Sequence, residues 1–308
     1  MESYILSILG GTSQGLAWAV LAIGVYVSFR ILDFPDLTSE GSFALGGSVS
    51  AVCIAGLGLH PVVSLLISIA AGMAAGAITG FLHTKLRIPP ILSGILTMIA
   101  LYSVNLGIMG KANTPLLAKK TILSMALELF SEKAGISYNL LQILITMGLG
   151  LIFVVLVIIF LYWFLGTETG CALRATGNNE AMVRAQGANT DALKILGLMV
   201  GNGLIALSGG LVAQTQGFAD VSMGVGAIVI GLASIVVGEV VFKKVRSFAV
   251  RLISIVVGSV IYRIIIATVL FLGFNTNYQK LLTAVLVAAA LAIPVFKKEK
   301  VRIVKEAE

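Results

Sequence analysis

Three short stretches carry residue types that could do chemistry. Gly11-Thr12-Ser13-Gln14-Gly15 has the G-x-S-x-G spacing of a serine-hydrolase elbow. That motif needs a strand before the serine and a helix after it. Here it lies inside a long apolar run expected to be one helix. The two histidines, His60 and His83, are expected on opposite sides of the bilayer deduced below, so at most one could approach Ser13. No catalytic residue is assigned. Gly110-Lys111 ends like a phosphate loop, but Asn105 stands where the first glycine belongs. This chain is not expected to bind ATP, and its energy must come from a partner or an ion gradient. Cys53 and Cys171 are the only cysteines, one in a predicted span and one in a loop. No disulfide, zinc site or iron–sulfur cluster is expected from them, and no metal ligand is assigned.

The elements around these residues are membrane helices. Of 308 residues, 58% are hydrophobic and 11% charged, and the mean hydropathy is +1.04. A soluble domain carries about 25% charged residues. Apolar runs recur near the ~20 residues that cross a bilayer. The fold class is all-α: a polytopic membrane protein with nine spans at 4–29, 41–58, 61–82, 91–110, 139–165, 195–216, 224–242, 248–271 and 280–296. The start, MESYILSILGG, lacks the basic region of a cleavable signal, so the first span is expected to be retained. Gly72, Gly76 and Gly80 fall on one helix face and predict a close packing seam.

Charge sets the orientation. One set of alternating loops holds fifteen Lys and Arg, among them Arg30, Lys85, Arg174, Arg184, Lys194, Lys243, Lys244 and Arg246. The other holds five: Lys111, Lys119, Lys120, Lys133 and Lys280. The richer side is expected to be cytoplasmic, with the N-terminus outside and the C-terminus inside. The net charge of +7 follows from these loops and is not read as nucleic-acid binding. Trp163 and Tyr138 fit the two interfacial belts of the fifth span. The outer loop 111–138 is expected to hold a short surface helix with Ile122, Met125, Leu129 and Phe130 on one face.

Two pentads match in order. FPDLT (34–38) follows the first span and FADVS (218–222) the sixth, and each leads into a Gly-rich apolar segment. An offset of five spans is odd, so the copies face opposite sides of the membrane. Such an inverted-topology repeat builds transporters whose pathway runs at the repeat interface. The halves are about 1–138 and 166–296 of one transmembrane domain covering 1–308. Asp36, Thr38, Gly41, Asp220, Ser222 and Gly224 are the pathway candidates. Capping alone also accounts for the pentads, with Thr38 and Ser222 as N-caps.

Between the fifth and sixth spans lies a cytoplasmic region, 170–194. GNNEAMVRAQGANTDALKI (177–195) reads as two capped helices, the first stopped by Gly187, the second running into the sixth span. The first has a thin apolar stripe suited to a partner's groove. Arg263 lies ~12 Å from the outer end of the eighth span. It could pair within the bundle (with Asp220, for example), meet an anionic substrate group, or snorkel to the interface. Glu239 is expected to pair with Lys243 and Lys244. The tail, 297–308, is expected to lie against the anionic inner leaflet.

Residues 173–239, from LRATGNNEAMVRAQG to IGLASIVVGE, resemble the permease subunits of ABC importers in the branch of the branched-chain amino acid permeases, and RILDFPDLTSEGSFALGG supports the match. Within that branch the chain is most similar to permeases grouped with tryptophan/tyrosine uptake systems. The resemblance implies that Asn178, Asn179, Glu180, Ala181, Met182, Arg184 and Gly187 form a coupling helix that docks on a separate ATP-binding cassette ATPase. Gly187 stands one position off the commonest spacing from Glu180. The resemblance further implies an extracytoplasmic solute-binding protein, a permease homodimer in a bacterial plasma membrane, and ATP and Mg bound in the ATPase rather than here. An ion-coupled secondary transporter with inverted repeats is the competing class, and an intramembrane enzyme is a third.

Overall fold

The computed structural model describes residues 2–131, 137–242 and 247–273, with isolated positions at 281, 283–285 and 288. The ninth expected span (280–296), apart from those positions, and the tail lie outside the described residues. So do Lys133, Lys243, Lys244, Arg246 and Lys280.

Apolar runs fold as helices because a bilayer core offers the backbone no other hydrogen-bond partner. The long ones are α1 (Glu2–Tyr26, extended by a π-helical turn, Val27–Ile31), α2 (Thr38–Ala55), α3 (Pro61–Thr84) and α4 (Pro90–Met109). They are followed by β1 (Asn113–Pro115), α5 (Ile122–Ser131), α6 (Tyr138–Gly166), α7 (Glu168–Asn178), α8 (Glu180–Ala185), α9 (Thr190–Gln216), β2 (Phe218–Asp220), α10 (Ala227–Val241) and α11 (Phe248–Phe271).

Among the described residues six segments are long and apolar enough to cross a membrane: Tyr4–Ile31, Pro61–Thr84, Pro90–Met109, Tyr138–Gly166, Thr190–Gln216 and Phe248–Phe271. The helices at the expected second and seventh spans are shorter, 18 residues in α2 and 15 in α10. The cause is local. α10 begins only after Gly226, whose φ of +85° breaks the helix. α2 is buried along nearly its whole length, so it meets protein rather than lipid and tolerates Glu40 and several serines.

The core sits on α1 and α9. In their apolar windows 72% and 78% of residues are buried, against 17% in α6, which therefore faces outward. The most extensive contacts are α3 with α9 and α1 with α11. The predicted glycine seam is the α3–α9 contact: a Cβ on Gly76 would fall on the Leu198 carbonyl, and one on Gly72 on Ala206.

The short helix expected between α4 and α6 forms as α5, held by Thr121 N–H donating to Ser124 Oγ (2.8 Å) and Ile122 N–H to Gln214 Oε1 (3.1 Å). That anchoring fixes its rotation, so Leu123 is the buried residue while Leu129 and Phe130 are exposed. Glu239 pairs at 2.8 Å with Arg30, in the π-helical turn that extends the first span; its expected partners, Lys243 and Lys244, lie outside the described residues.

Candidate functional site

The polar stretch between α6 and α9 folds as two capped helices. Asn179 Oδ1 accepts from Met182 N–H (3.0 Å) and starts α8; Asn189 Oδ1 accepts from Ala192 N–H (3.1 Å) and starts α9. Gly187 takes φ +86° between them, a turn that other residues adopt only with strain. Upstream, α7 was not foreseen. It starts where Thr167 Oγ1 accepts from Gly170 N–H (3.2 Å).

Charged groups tie α8 to α9. Arg184 reaches Glu180 (2.9 Å), Asp191 (3.3 Å) and Thr190 Oγ1 (2.8 Å), and Lys194 reaches Glu180 (2.7 Å). The Lys194 hydrogen bond, aided by the Arg184 charge, holds the Glu180 carboxyl below the ordinary carboxylate range. The linkage is therefore fully present above the usual carboxylate pKa and is lost only below it. Val183 is buried beneath α8, whereas Asn178, Asn179, Ala181, Met182, Arg184 and Gly187 are exposed. The result is a short ledge, fixed on one side and open on the other.

The two pentads fold alike. Asp36 Oδ1 accepts from Thr38 N–H (3.0 Å), and Asp220 Oδ1 accepts from Ser222 N–H (2.7 Å). In both the aspartate closes a turn onto the amide two residues on, and neither Thr38 nor Ser222 is an N-cap: Leu37 and Gly226 hold those positions in α2 and α10. Asp36 and Thr38 are fully buried. Asp36 Oδ2 accepts from Asn202 of α9 (2.6 Å), Ser42 donates to Asn202 (2.7 Å), and Thr38 bonds Thr79 of α3 (2.7 Å). Gly41 packs on Leu101 of α4, and Gly224 on the Glu40 backbone. Glu40 Oε1 accepts from Gly226 N–H at the start of α10 (2.9 Å), so the segments after the pentads meet. β2, which holds Phe218 to Asp220, pairs antiparallel with β1 in the register Asn113↔Asp220 and Pro115↔Phe218.

Ser222 borders a cleft of about 670 Å³ between α1, the end of α9, α10 and α11. Arg263 lines it, only 8% exposed, with its guanidinium 4.2 Å above the Trp18 ring. Among the described residues it forms no ion pair with Asp220; its Nη1 donates to Gln14 Oε1 at 3.3 Å. The structure does not bring Asp36, Thr38 or Gly41 to this cleft. Trp18 and Gln14 went unread in the sequence, because nothing in an apolar helix marks which polar residue a distant arginine will meet.

Ser13 donates to the Gly10 carbonyl within its own helix (2.9 Å). His60 caps α3, accepting from Val62 N–H (3.3 Å), and His83 bonds the Ile88 carbonyl (2.8 Å). Among the described residues no group of three or more His, Cys, Asp or Glu is placed to hold a metal ion.

Bilayer-length helices packed on glycine seams around buried polar turns define a multi-pass helical membrane protein. Residues 7–291 match the family described as the branched-chain amino acid transport system / permease component, and the chain belongs to that family. It is a transport subunit rather than an enzyme. It is 41% identical over 290 residues to the tyrosine transport system permease protein of Clostridioides difficile (strain R20291), covering 94% of this chain and 91% of that one. An uncharacterised protein of Rickettsia prowazekii (strain Madrid E) is 36% identical over 196 residues, 64% of each chain. The solved structure of PsaBC from Streptococcus pneumoniae in complex with Fab gives a TM-score of 0.49 at 18% identity, covering 92% of this chain and 89% of that one.

Proposed function

We propose that this chain is the membrane-spanning permease of an ATP-driven ABC importer for an amino acid, tyrosine or a close aromatic relative. Its carrying observation is the ledge: α8 is ion-paired to the first two turns of α9, and α9 runs unbroken from there to the second pentad. An isolated solvated loop has no need of that linkage. A separate ATPase binding ATP and Mg docks on α8, with Asn178 to Gly187 as the contact surface. A solute-binding protein delivers substrate from outside, and two copies of the permease face each other. No cofactor is held in this chain.

Alternating access follows from the inverted repeat. The like turns at Asp36 and Asp220 support it, as do the parallel roles of the α3–α9 and α1–α11 contacts, which an offset of five spans would exchange. The substrate class is carried by the relative named for tyrosine transport. Loop charge orients the ledge toward the cytoplasm.

The test is uptake of L-tyrosine into proteoliposomes. ATP, the ATPase and the binding protein are each expected to be required, and a protonophore is expected to have no effect. Uptake driven by an ion gradient with no second subunit would instead make the chain a secondary transporter. Orientation has its own reading. Cys171 is exposed and Cys53 buried, so a membrane-impermeant maleimide is expected to label Cys171 only after spheroplasts are opened. Labelling of intact spheroplasts at Cys171 would place the ledge outside.

A further inference from the structure

We infer that the cleft beneath the second pentad binds the carboxylate of an amino acid on Arg263. The inference rests on the amino-acid permease reading above and names the group that would hold the substrate. Three observations carry it. Arg263 is buried, yet among the described residues it forms no ion pair, and its Nε has no hydrogen-bond partner. An intramembrane arginine is ordinarily matched by an acid or by several acceptors. Its one described side-chain bond, to Gln14, is long at 3.3 Å and leaves most of its five donors unused.

The guanidinium is held in place without being neutralised. It lies 4.2 Å over the Trp18 ring, and Trp18 is itself packed on Phe43 with ring centroids 4.9 Å apart. A cation over an indole face is attracted by the ring quadrupole but keeps its charge and its in-plane donors. Those donors suit a planar carboxylate, which takes two parallel N–H bonds.

The space is adequate and graded. The cleft of about 670 Å³ lies within the range of small-molecule pockets, ~300–1,000 Å³. Its floor is Arg263 and Trp18; Gln216 and Ser222 stand exposed at its mouth. Tyr262 donates its hydroxyl hydrogen to Thr283 (2.8 Å), so it offers the carboxylate no donor. Met223, Ile230, Ile266 and Leu270 form the apolar wall for a side chain. Gln14, Gln216 and the Ser222 hydroxyl offer oxygens to an ammonium group.

Trp18 and Trp163 are the only tryptophans, so Trp163→Phe leaves Trp18 as sole reporter. The purified full chain carrying that change, in nanodiscs of neutral lipid, is titrated with three probes: L-phenylalanine, 3-phenylpropionate and phenethylamine. None absorbs where tryptophan is excited at its red edge. The two carboxylates are expected to change Trp18 fluorescence, and the amine is not. Arg263→Gln is expected to weaken the carboxylate response by at least about tenfold, and Arg263→Lys to weaken it less. The idea is overturned if all three probes act alike, if none acts, or if Arg263→Gln responds as the parent does. The parent's own discrimination among probes needs no variant, so misfolding of Arg263→Gln would not hide the answer. A carboxylate response without ATP-driven uptake would sink the importer reading and leave this site standing; the reverse outcome would sink this site alone.

Discussion

Changing Glu180 and Arg184 together to alanine is expected to lower ATP-driven uptake by roughly thirtyfold, the loss given by about 2 kcal/mol at an interface hot spot. The permease itself should still accumulate, because these side chains are partly exposed and stabilise the fold little. What they supply is connection. Glu180 takes hydrogen bonds from Arg184 of its own helix and from Thr190 and Lys194 of α9. With both gone, every ion pair between α8 and α9 among the described residues is lost. A second variant separates connection from docking. Met182 is 46% exposed and takes part in none of these ion pairs, so Met182→Asp leaves the ion pairs whole and places a charge on an exposed position. It is expected to abolish copurification with the ATPase, whereas the double alanine variant keeps part of the binding and loses transport. If both variants copurify and transport like the parent, force does not enter through α8.

Gly76→Ala is expected to be strongly destabilising. The added Cβ would strike the Leu198 carbonyl and the Met199 amide of α9, backbone atoms that cannot rotate away. Overpacking of a well-filled core costs about 1–3 kcal/mol when side chains can yield, so more is expected here. The readouts are yield and the thermal midpoint in detergent. Gly148→Ala is the control. Its Cβ would meet nothing within 4 Å, and removal of a helical glycine is expected to be neutral or slightly stabilising. Equal behaviour of the two variants would mean that the α3–α9 contact is looser than the geometry states.

Much of this was legible in residues that act locally. Asn179, Gly187 and Asn189 set the ends of their helices through bonds to near neighbours, so spacing alone revealed α8 and the start of α9. The seam at Gly72, Gly76 and Gly80 was visible as a stripe, although only the fold names α9 as its partner. The pentads are legible as a pair, but the hydroxyls read as N-caps do not cap: in each the aspartate closes a turn onto the amide two residues on, and the helices start at Leu37 and Gly226 without a side-chain cap. The rest depends on distance in sequence. Glu239 meets Arg30, Asp36 meets Asn202, and Arg263 meets Trp18 across gaps of more than 150 residues, where no periodicity points from one to the other. The β1–β2 pairing is three residues a side, too short to leave an alternating pattern.

α9 has a further implication for how a stroke is transmitted. It is a single helix of 27 residues, ~40 Å from end to end. Glycine contacts press it against three neighbours at once: Gly24 of α1, Gly46 of α2 and Gly76 of α3 all abut it. A shaft seated in three tight bearings cannot be nudged at one end alone, because close-packed interiors resist compression. Any torque delivered at Thr190 must turn its sleeve of α1, α2 and α3 as well, so the bundle would switch as a block between two settings instead of flexing by degrees.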